Sequence, residues 1–237
     1  MSSEMLKVEE LHAFYGKSHV LQGVTLEVRP GEVAGLLGRN GVGKTTTLKA
    51  ILGLVRRRGR VHFNGREISA LPPHEIPRLG IGYVPQGRHI FPGLTVLENL
   101  TIGLVKEKGV PADRLEAVFS HFPVLRARLK QLGGTLSGGE QQMLAIARVL
   151  MTGPALILMD EPSEGLSPVM RATVRDRIKA IQASGVGILL VEQNVRLALA
   201  TCHRMYFMEK GVIRHEVAAE DLRKDEELIS RYLAVKV

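Results

Sequence analysis

The sequence predicts an α/β fold: a mostly parallel sheet, antiparallel strands contributed by the N-terminal part, and a helical segment inserted in the middle. Three observations carry this reading. Strand-sized runs without a polar residue, Val33–Leu37, 155–159 and 187–191, alternate with helical patterns, as strands buried on both faces do. Residues 6–13 and 19–29 alternate partially between apolar and polar, which suits half-buried antiparallel strands. Between the run Val33–Leu37 and the apolar-periodic segment 46–54 lies Gly38-Arg39-Asn40-Gly41-Val42-Gly43-Lys44-Thr45, a G-x-x-x-x-G-K-[ST] loop in the strand–loop–helix setting that phosphate binding requires.

In chain order, Phe14-Tyr15-Gly16 is expected as a loop between the first two strands, and Pro30-Gly31-Glu32 as a turn into the third. Residues 59–64 and Gly65 read as a short strand and turn, followed by a proline-rich connector at 71–77 that cannot be an uninterrupted helix. The segment from Gly87 to Gly134 changes texture: helical stretches around 95–105 and 111–119 are broken by glycine and proline. A helix from Ser137 through Met151 is expected, with Glu140 completing a capping box. Pro168 suits the first turn of a helix running to Ala183. Residues 205–208 and 212–217 flank Glu209-Lys210-Gly211 as a hairpin, and the charged remainder reads as short surface helices. No repeat or linker divides the chain, so 1–237 reads as one domain with a helical subdomain at about 87–150.

Composition narrows the function classes. At 237 residues, 45% hydrophobic and 24% charged, the chain can bury a sizeable core and is neither disordered nor membrane-embedded in composition. No apolar run approaches the roughly 20 residues that span a bilayer, and the N-terminus lacks a signal-peptide core, so a cytoplasmic location is expected. The single Cys202 excludes an internal disulfide framework, and the eight histidines show no metal-ligand spacing. A net charge of +8 invites a nucleic-acid partner, yet Arg56-Arg57-Arg58 is the only tight basic run and aromatics are 4%. A solvated basic face near anionic headgroups or a membrane partner fits better than direct nucleic-acid binding.

The glycine loop places backbone N–H groups and a helix N-terminus around one phosphate. Lys44 supplies a compact cation for the β- and γ-phosphates, the Thr45 hydroxyl a hard ligand for Mg²⁺, and Thr46 a further hydroxyl or N–H. Residues 156–159 lead into Asp160-Glu161, two carboxylates at the end of a buried strand, where ligands bind in open α/β sheets. Asp160 suits holding Mg²⁺ through water, and Glu161 suits polarising a water for in-line attack on a γ-phosphate.

Leu136-Ser137-Gly138-Gly139-Glu140-Gln141-Gln142 resembles the signature motif of the nucleotide-binding subunits of ATP-binding cassette (ABC) transporters. That resemblance covers almost the whole chain and implies a P-loop NTPase-type fold, an ATPase using ATP and Mg²⁺, and a head-to-tail dimer with two sandwiched nucleotides. It implies that Ser137, Gly138 and Gly139 meet the γ-phosphate of an ATP held by the second subunit. It also implies adenine stacking on Tyr15, 29 residues before Lys44, and contact of Gln86 with Mg²⁺ and the attacking water. Residues 163–168 correspond to the loop passing between the two sites. Where the family usually carries a histidine against the γ-phosphate, this chain has Gln193, which can donate to a phosphate oxygen without a histidine's charge or proton. The substitution bears on the rate of hydrolysis and leaves binding intact.

Val191-Glu192-Gln193-Asn194, the loop Gly38–Gly43 and the stretch from Val84-Pro85-Gln86-Gly87-Arg88 to Ile90-Phe91-Pro92 resemble one branch of the family. These are the ATPases of branched-chain amino acid importers and their urea or amide relatives. The resemblance implies transmembrane permease partners, a second ATPase subunit, identical or different, and a peripheral place on the cytoplasmic face of the inner membrane. The competing class is a soluble ABC-type clamp on nucleic acid or ribosomes. Such chains generally carry two cassettes or a long insertion, whereas only 51 positions separate Gln86 from Ser137 here.

Overall fold

The computed structural model describes residues 4–104, 109–222 and 224. Two antiparallel strands, β1 (Leu6–Tyr15) and β2 (Ser18–Val28), open the chain, and β3 (Val33–Leu37) runs into α1 (Lys44–Ile51). After β4 (Arg56–Phe63), β5 (Arg66–Glu67) and β6 (Ile81–Val84) come four helices: α2 (Val96–Thr101), α3 (Ala112–His121), α4 (Pro123–Arg126) and α5 (Gly138–Leu150). The chain then passes through β7 (Leu156–Asp160), α6 (Pro168–Ala183), β8 (Gly187–Glu192), α7 (Val195–Thr201), β9 (Arg204–Glu209), β10 (Val212–Ala218) and α8 (Ala219–Leu222).

The strands form two sheets. One is antiparallel, in the order β2-β1-β4-β5; the other has the order β10-β9-β3-β8-β7-β6, parallel except for the β10 edge. Every residue of β3, β7 and β8 is buried. The apolar runs are continuous because the parallel sheet is covered on both sides. One core joins the antiparallel sheet and α1 to the near face, with Leu6, Leu11, Leu48 and Ile51 against Leu36 and Val191. The other joins α2 to α7 to the far face, with Leu144, Ile146 and Ile178 against Ile157 and Leu190. Each such fully buried side chain contributes about 1.5–3 kcal/mol over its exposed state.

Polar contacts fix the two sheets relative to one another. Arg204 on β9 reaches Glu27 on β2 at 2.6 Å, Glu32 at 3.1 Å and Glu216 on β10 at 2.7 Å. The Tyr206 hydroxyl accepts from the Glu27 N–H at 3.1 Å and donates to the Glu27 carbonyl at 3.2 Å.

Several boundaries differ from expectation for local reasons. Phe14 and Tyr15 are the last residues of β1 rather than a loop, paired to His19 and Ser18, and the turn is left to Gly16 and Lys17. The helix expected at 46–54 begins two residues earlier and stops at Ile51, where Leu52 caps it and Gly53 turns back at φ 70°. The helix expected at 95–105 is only α2, opened by a capping box between Thr95 and Glu98; residue 105 lies outside the described residues. So does most of the charged C-terminal stretch expected as surface helices, of which α8 is described. The expected solvated basic face is divided. Arg56 and Arg58 lie over the Phe14 ring, whereas half-buried Arg57 points inward and donates to carbonyls of Ala50, Ile51, Ile68 and Ser69. Burial lowers its pKa, and its charge meets the carbonyl end of α1.

Candidate functional site

Gly43 caps α1 in the left-handed region at φ 116°, and a Cβ there would come 2.8 Å from Leu21 Cδ2, so only glycine fits the close approach of β2. The loop is also tied to the β9–β10 turn, since Gly211 donates its N–H to the Val42 carbonyl at 2.8 Å. Lys44, the first helical residue, is turned back into the loop. It is 4% exposed, and its ammonium donates to the carbonyls of Gly38 at 2.9 Å and Arg39 at 3.1 Å.

A cleft of about 320 Å³ opens above this helix end. Asn40, Gly41, Gly43, Lys44, Thr45, Thr46, Gln86 and Glu161 line it, with Val20 from β2. Residues far apart in sequence meet here because β8 lies between β3 and β7, so the carboxyl ends of three parallel strands face one place. Asp160 ends β7 at 1% exposed; its Oδ1 accepts from the Thr45 hydroxyl at 3.1 Å and its Oδ2 from the Tyr83 hydroxyl at 3.5 Å. Burial pushes the Asp160 carboxyl above the usual carboxylate range, against the opposing pull of Thr45 and the Lys44 ammonium.

Glu161 follows in the left-handed region at φ 46°, a backbone state costing about 1–3 kcal/mol that is typical of functional sites. It is 8% exposed and held on three sides. Its N–H donates to the Val191 carbonyl at 2.9 Å, Lys44 Nζ lies 3.2 Å from Oε1, and Gln193 Nε2 is 3.1 Å from each carboxylate oxygen. The same Gln193 amide donates to Asn40 Oδ1, joining the tip of the glycine loop to Glu161. Gln86 donates to Glu164 Oε2 at 2.9 Å.

The other sequence-derived candidates are placed differently. Ser137 is exposed and caps α5, its Oγ accepting from the Glu140 N–H at 3.4 Å while Glu140 Oε2 accepts from the Ser137 N–H at 2.9 Å. A Cβ on Gly138 would meet the Arg88 guanidinium at 2.7 Å, and one on Gly139 would collide with the Met170 side chain. None of these three lines the cleft. Tyr15, 46% exposed at the end of β1, does not line it either.

Two participants were not singled out from sequence, Val20 and Tyr83, while Glu164 and Arg88 entered only as members of longer stretches. Tyr83 becomes visible only through the pairing of β6 with β7, which sets Val84 opposite Met159. Among the described residues, no group of three or more His, Cys, Asp or Glu side chains could hold a metal alone. The oxygens near the cleft, from Thr45, Asp160 and Gln86, are hard donors of the kind that suits Mg²⁺ shared with phosphate groups.

A family model described as "ABC transporter" matches residues 21–164. The high-affinity branched-chain amino acid transport ATP-binding protein BraG of Pseudomonas aeruginosa is 40% identical, with 91% of this chain and 94% of that protein covered. A probable branched-chain amino acid transport ATP-binding protein, LivF, of Archaeoglobus fulgidus is also 40% identical, over 94% and 95%. The lipopolysaccharide export system ATP-binding protein LptB of Escherichia coli K12 is 38% identical over 96% of each chain. Among solved structures, the ADP conformation of an ATP-binding cassette of an ABC transporter superposes with a TM-score of 0.86 at 29% identity, covering 98% of each chain. A dimeric post-hydrolysis cassette bound to ADP and Pi gives 0.80 at 26% identity, covering 91% of this chain and 99% of that one. With a family model over more than half its length and relatives at 40% identity across nearly all of it, this chain belongs to the ABC transporter family.

Proposed function

We propose that this chain is the ATP-binding and hydrolysing subunit that energises a membrane importer, for branched-chain amino acids or related small solutes. The observation that carries the chemistry is the contact of Lys44 with Glu161 in the glycine-loop cleft, with Gln193 hydrogen-bonded to Glu161 and Asn40 at its edge. Relatives named for branched-chain amino acid transport support the solute class.

In this reading, catalysis is positioning and charge neutralisation. The loop amides of Gly38 to Gly43 and the Lys44 ammonium hold the β- and γ-phosphates, with Thr46 adding its N–H. Glu161 orients water for in-line attack, and Gln193, already hydrogen-bonded to Glu161, presents its amide to the γ-phosphate. Thr45, Gln86 and, through water, Asp160 would hold Mg²⁺, which neutralises phosphate charge when bound. Tyr15 stacks on adenine. Ser137, Gly138 and Gly139 serve the nucleotide of a second cassette, identical or different, in a head-to-tail dimer. A dimeric structural relative supports that arrangement.

The transport ATP-binding relatives support a peripheral place for this subunit on the cytoplasmic face of the inner membrane, against permease subunits; no helix among the described residues is long and apolar enough to cross a membrane. Residues 87–150 act in the proposal as a helical subdomain within one 1–237 domain. An apolar cleft of about 710 Å³ between the β6 edge and the α2–α5 helices, lined by Ile81, Phe91, Ile102, Leu104 and Val149, suits contact with such a partner. Phe91 and Ile102 are exposed there.

A second reading, service to a lipopolysaccharide-type exporter, is favoured by the 38% relatives. Purification of the tagged chain from gently solubilised membranes separates the readings. Two multi-pass importer permeases and a second ATPase are expected. Exporter permeases would move the proposal to the second reading, and ribosomes, nucleic acid or nothing would overturn both.

A further inference from the structure

Glu192 ends β8 at 2% exposed, and no cation pairs with it among the described residues. Backbone N–H groups hold its carboxylate instead. Oε1 accepts from Ser163 at 3.1 Å, and Oε2 accepts from Gln193 at 3.2 Å and Asn194 at 3.1 Å. The Ser163 hydroxyl, beside the same carboxylate, pulls its pKa down. Burial pushes this carboxyl above its usual range while the donors pull the other way.

Both arms lead to the cleft. Ser163 lies two positions past Glu161. Gln193 donates from one side-chain amide to both Glu161 oxygens and to Asn40. The contact between Glu161 and Gln193 therefore depends on how the loop after β7 is set against the turn after β8, and Glu192 is the side chain that touches both backbones.

We propose that Glu192 is a positioning residue for ATP hydrolysis: its two oxygens clamp the loop after Glu161 to the turn carrying Gln193 and so fix the approach of those two side chains. The inference rests on the ATPase reading above. A carboxylate is needed because both arms donate and only a side chain with two acceptor oxygens serves both. A glutamine has one acceptor, and its NH₂ would face a donor on the other arm. Burying a carboxylate without a cation is costly, so its three backbone donors are a specific requirement of this fold.

The test is Glu192→Gln, nearly isosteric, in the complex with its permeases. Steady-state phosphate release against ATP concentration is measured beside the binding of a fluorescent ATP analogue. Displacing a reacting group by 1 Å costs about 10²-fold, so kcat is expected to fall about 10- to 100-fold. KM and analogue affinity should stay within about twofold, because the Lys44 loop keeps its own contacts. An unchanged kcat, or a joint loss of binding and turnover, overturns the proposal.

If E192Q does not fold, Ser163→Ala carries the test, since it keeps the backbone arm and removes only the hydroxyl that favours the same carboxylate. A kcat loss of about two- to tenfold at constant KM is expected, because the three backbone donors remain on the carboxylate; wild-type kcat overturns the clamp. A wild-type complex that hydrolyses no ATP removes the ATPase reading and the clamp with it. A working wild type matched by E192Q removes the clamp alone.

Discussion

Two regions of this chain are assigned to phosphate in the proposed function, and they are built differently. At the carboxyl ends of β3, β7 and β8, Lys44 and Glu161 are buried and in contact, Gln193 links Glu161 to Asn40 by hydrogen bonds, and Thr45 donates to Asp160 beside them. At the start of α5, Ser137 is exposed and engaged only with its own helix, and Gly138 and Gly139 pack on Arg88 and Met170. The first region is complete within one chain; the second has its donors arranged but nothing of the cleft within reach. That difference is what the proposed function requires of a subunit that holds one nucleotide itself and meets the nucleotide of a neighbour with a second surface.

The sharpest way to break this comparison is Glu161→Gln. It keeps the contact to Gln193 in shape but removes the carboxylate, so hydrolysis should fall about 10²- to 10⁴-fold, as for loss of a general base. ATP affinity should stay within a few-fold, and steady-state phosphate release beside equilibrium binding reads both. Full activity would remove Glu161 from its role.

Lys44→Ala should act on binding instead. Losing a charge-assisted contact of about 1.5–3 kcal/mol predicts ATP affinity weaker by about 10- to 100-fold in the isolated chain. Ser137→Ala should show the opposite pattern. Affinity of the isolated chain stays unchanged, stability drops by about 1 kcal/mol through loss of the cap, and turnover of the assembled complex falls about tenfold. An affinity loss in the isolated chain would place Ser137 in the same site as Lys44 and dissolve the distinction.

The smallest effect on either region is expected from Arg204→Ala, which breaks contacts to Glu27, Glu32 and Glu216 far from the loop. Thermal unfolding should report a loss of about 1–3 kcal/mol, while turnover per folded molecule stays within about twofold.

The cleft was largely legible in the sequence because its parts are local. A glycine loop between an apolar strand and a helix, and two acids closing another apolar strand, each state their geometry within a few residues, as the Ser137–Glu140 capping box does for the second region. What was not legible depends on strand order. Gln193 reaches Asn40 across 153 positions, and Tyr83 reaches Asp160 across 77, only because β8 pairs with β3 and β7 and β6 pairs with β7. Glu192 enters the sequence reading only as a member of a branch-like stretch with no role of its own, because its three donors come from two separate loops. Arg57 misleads in the other direction: in a run of three arginines it looks solvated, yet tertiary packing turns it onto the end of α1.

The most direct test of the central claim, that one chain supplies half of each of two nucleotide sites, is the mass of purified Glu161→Gln by light scattering. It is measured with its cognate ATPase subunit where that differs, with and without ATP and Mg²⁺, alongside the count of bound nucleotide. The account predicts a nucleotide-dependent doubling from one cassette to two, with one ATP retained per cassette. A single cassette that binds ATP at full occupancy and never pairs would contradict it.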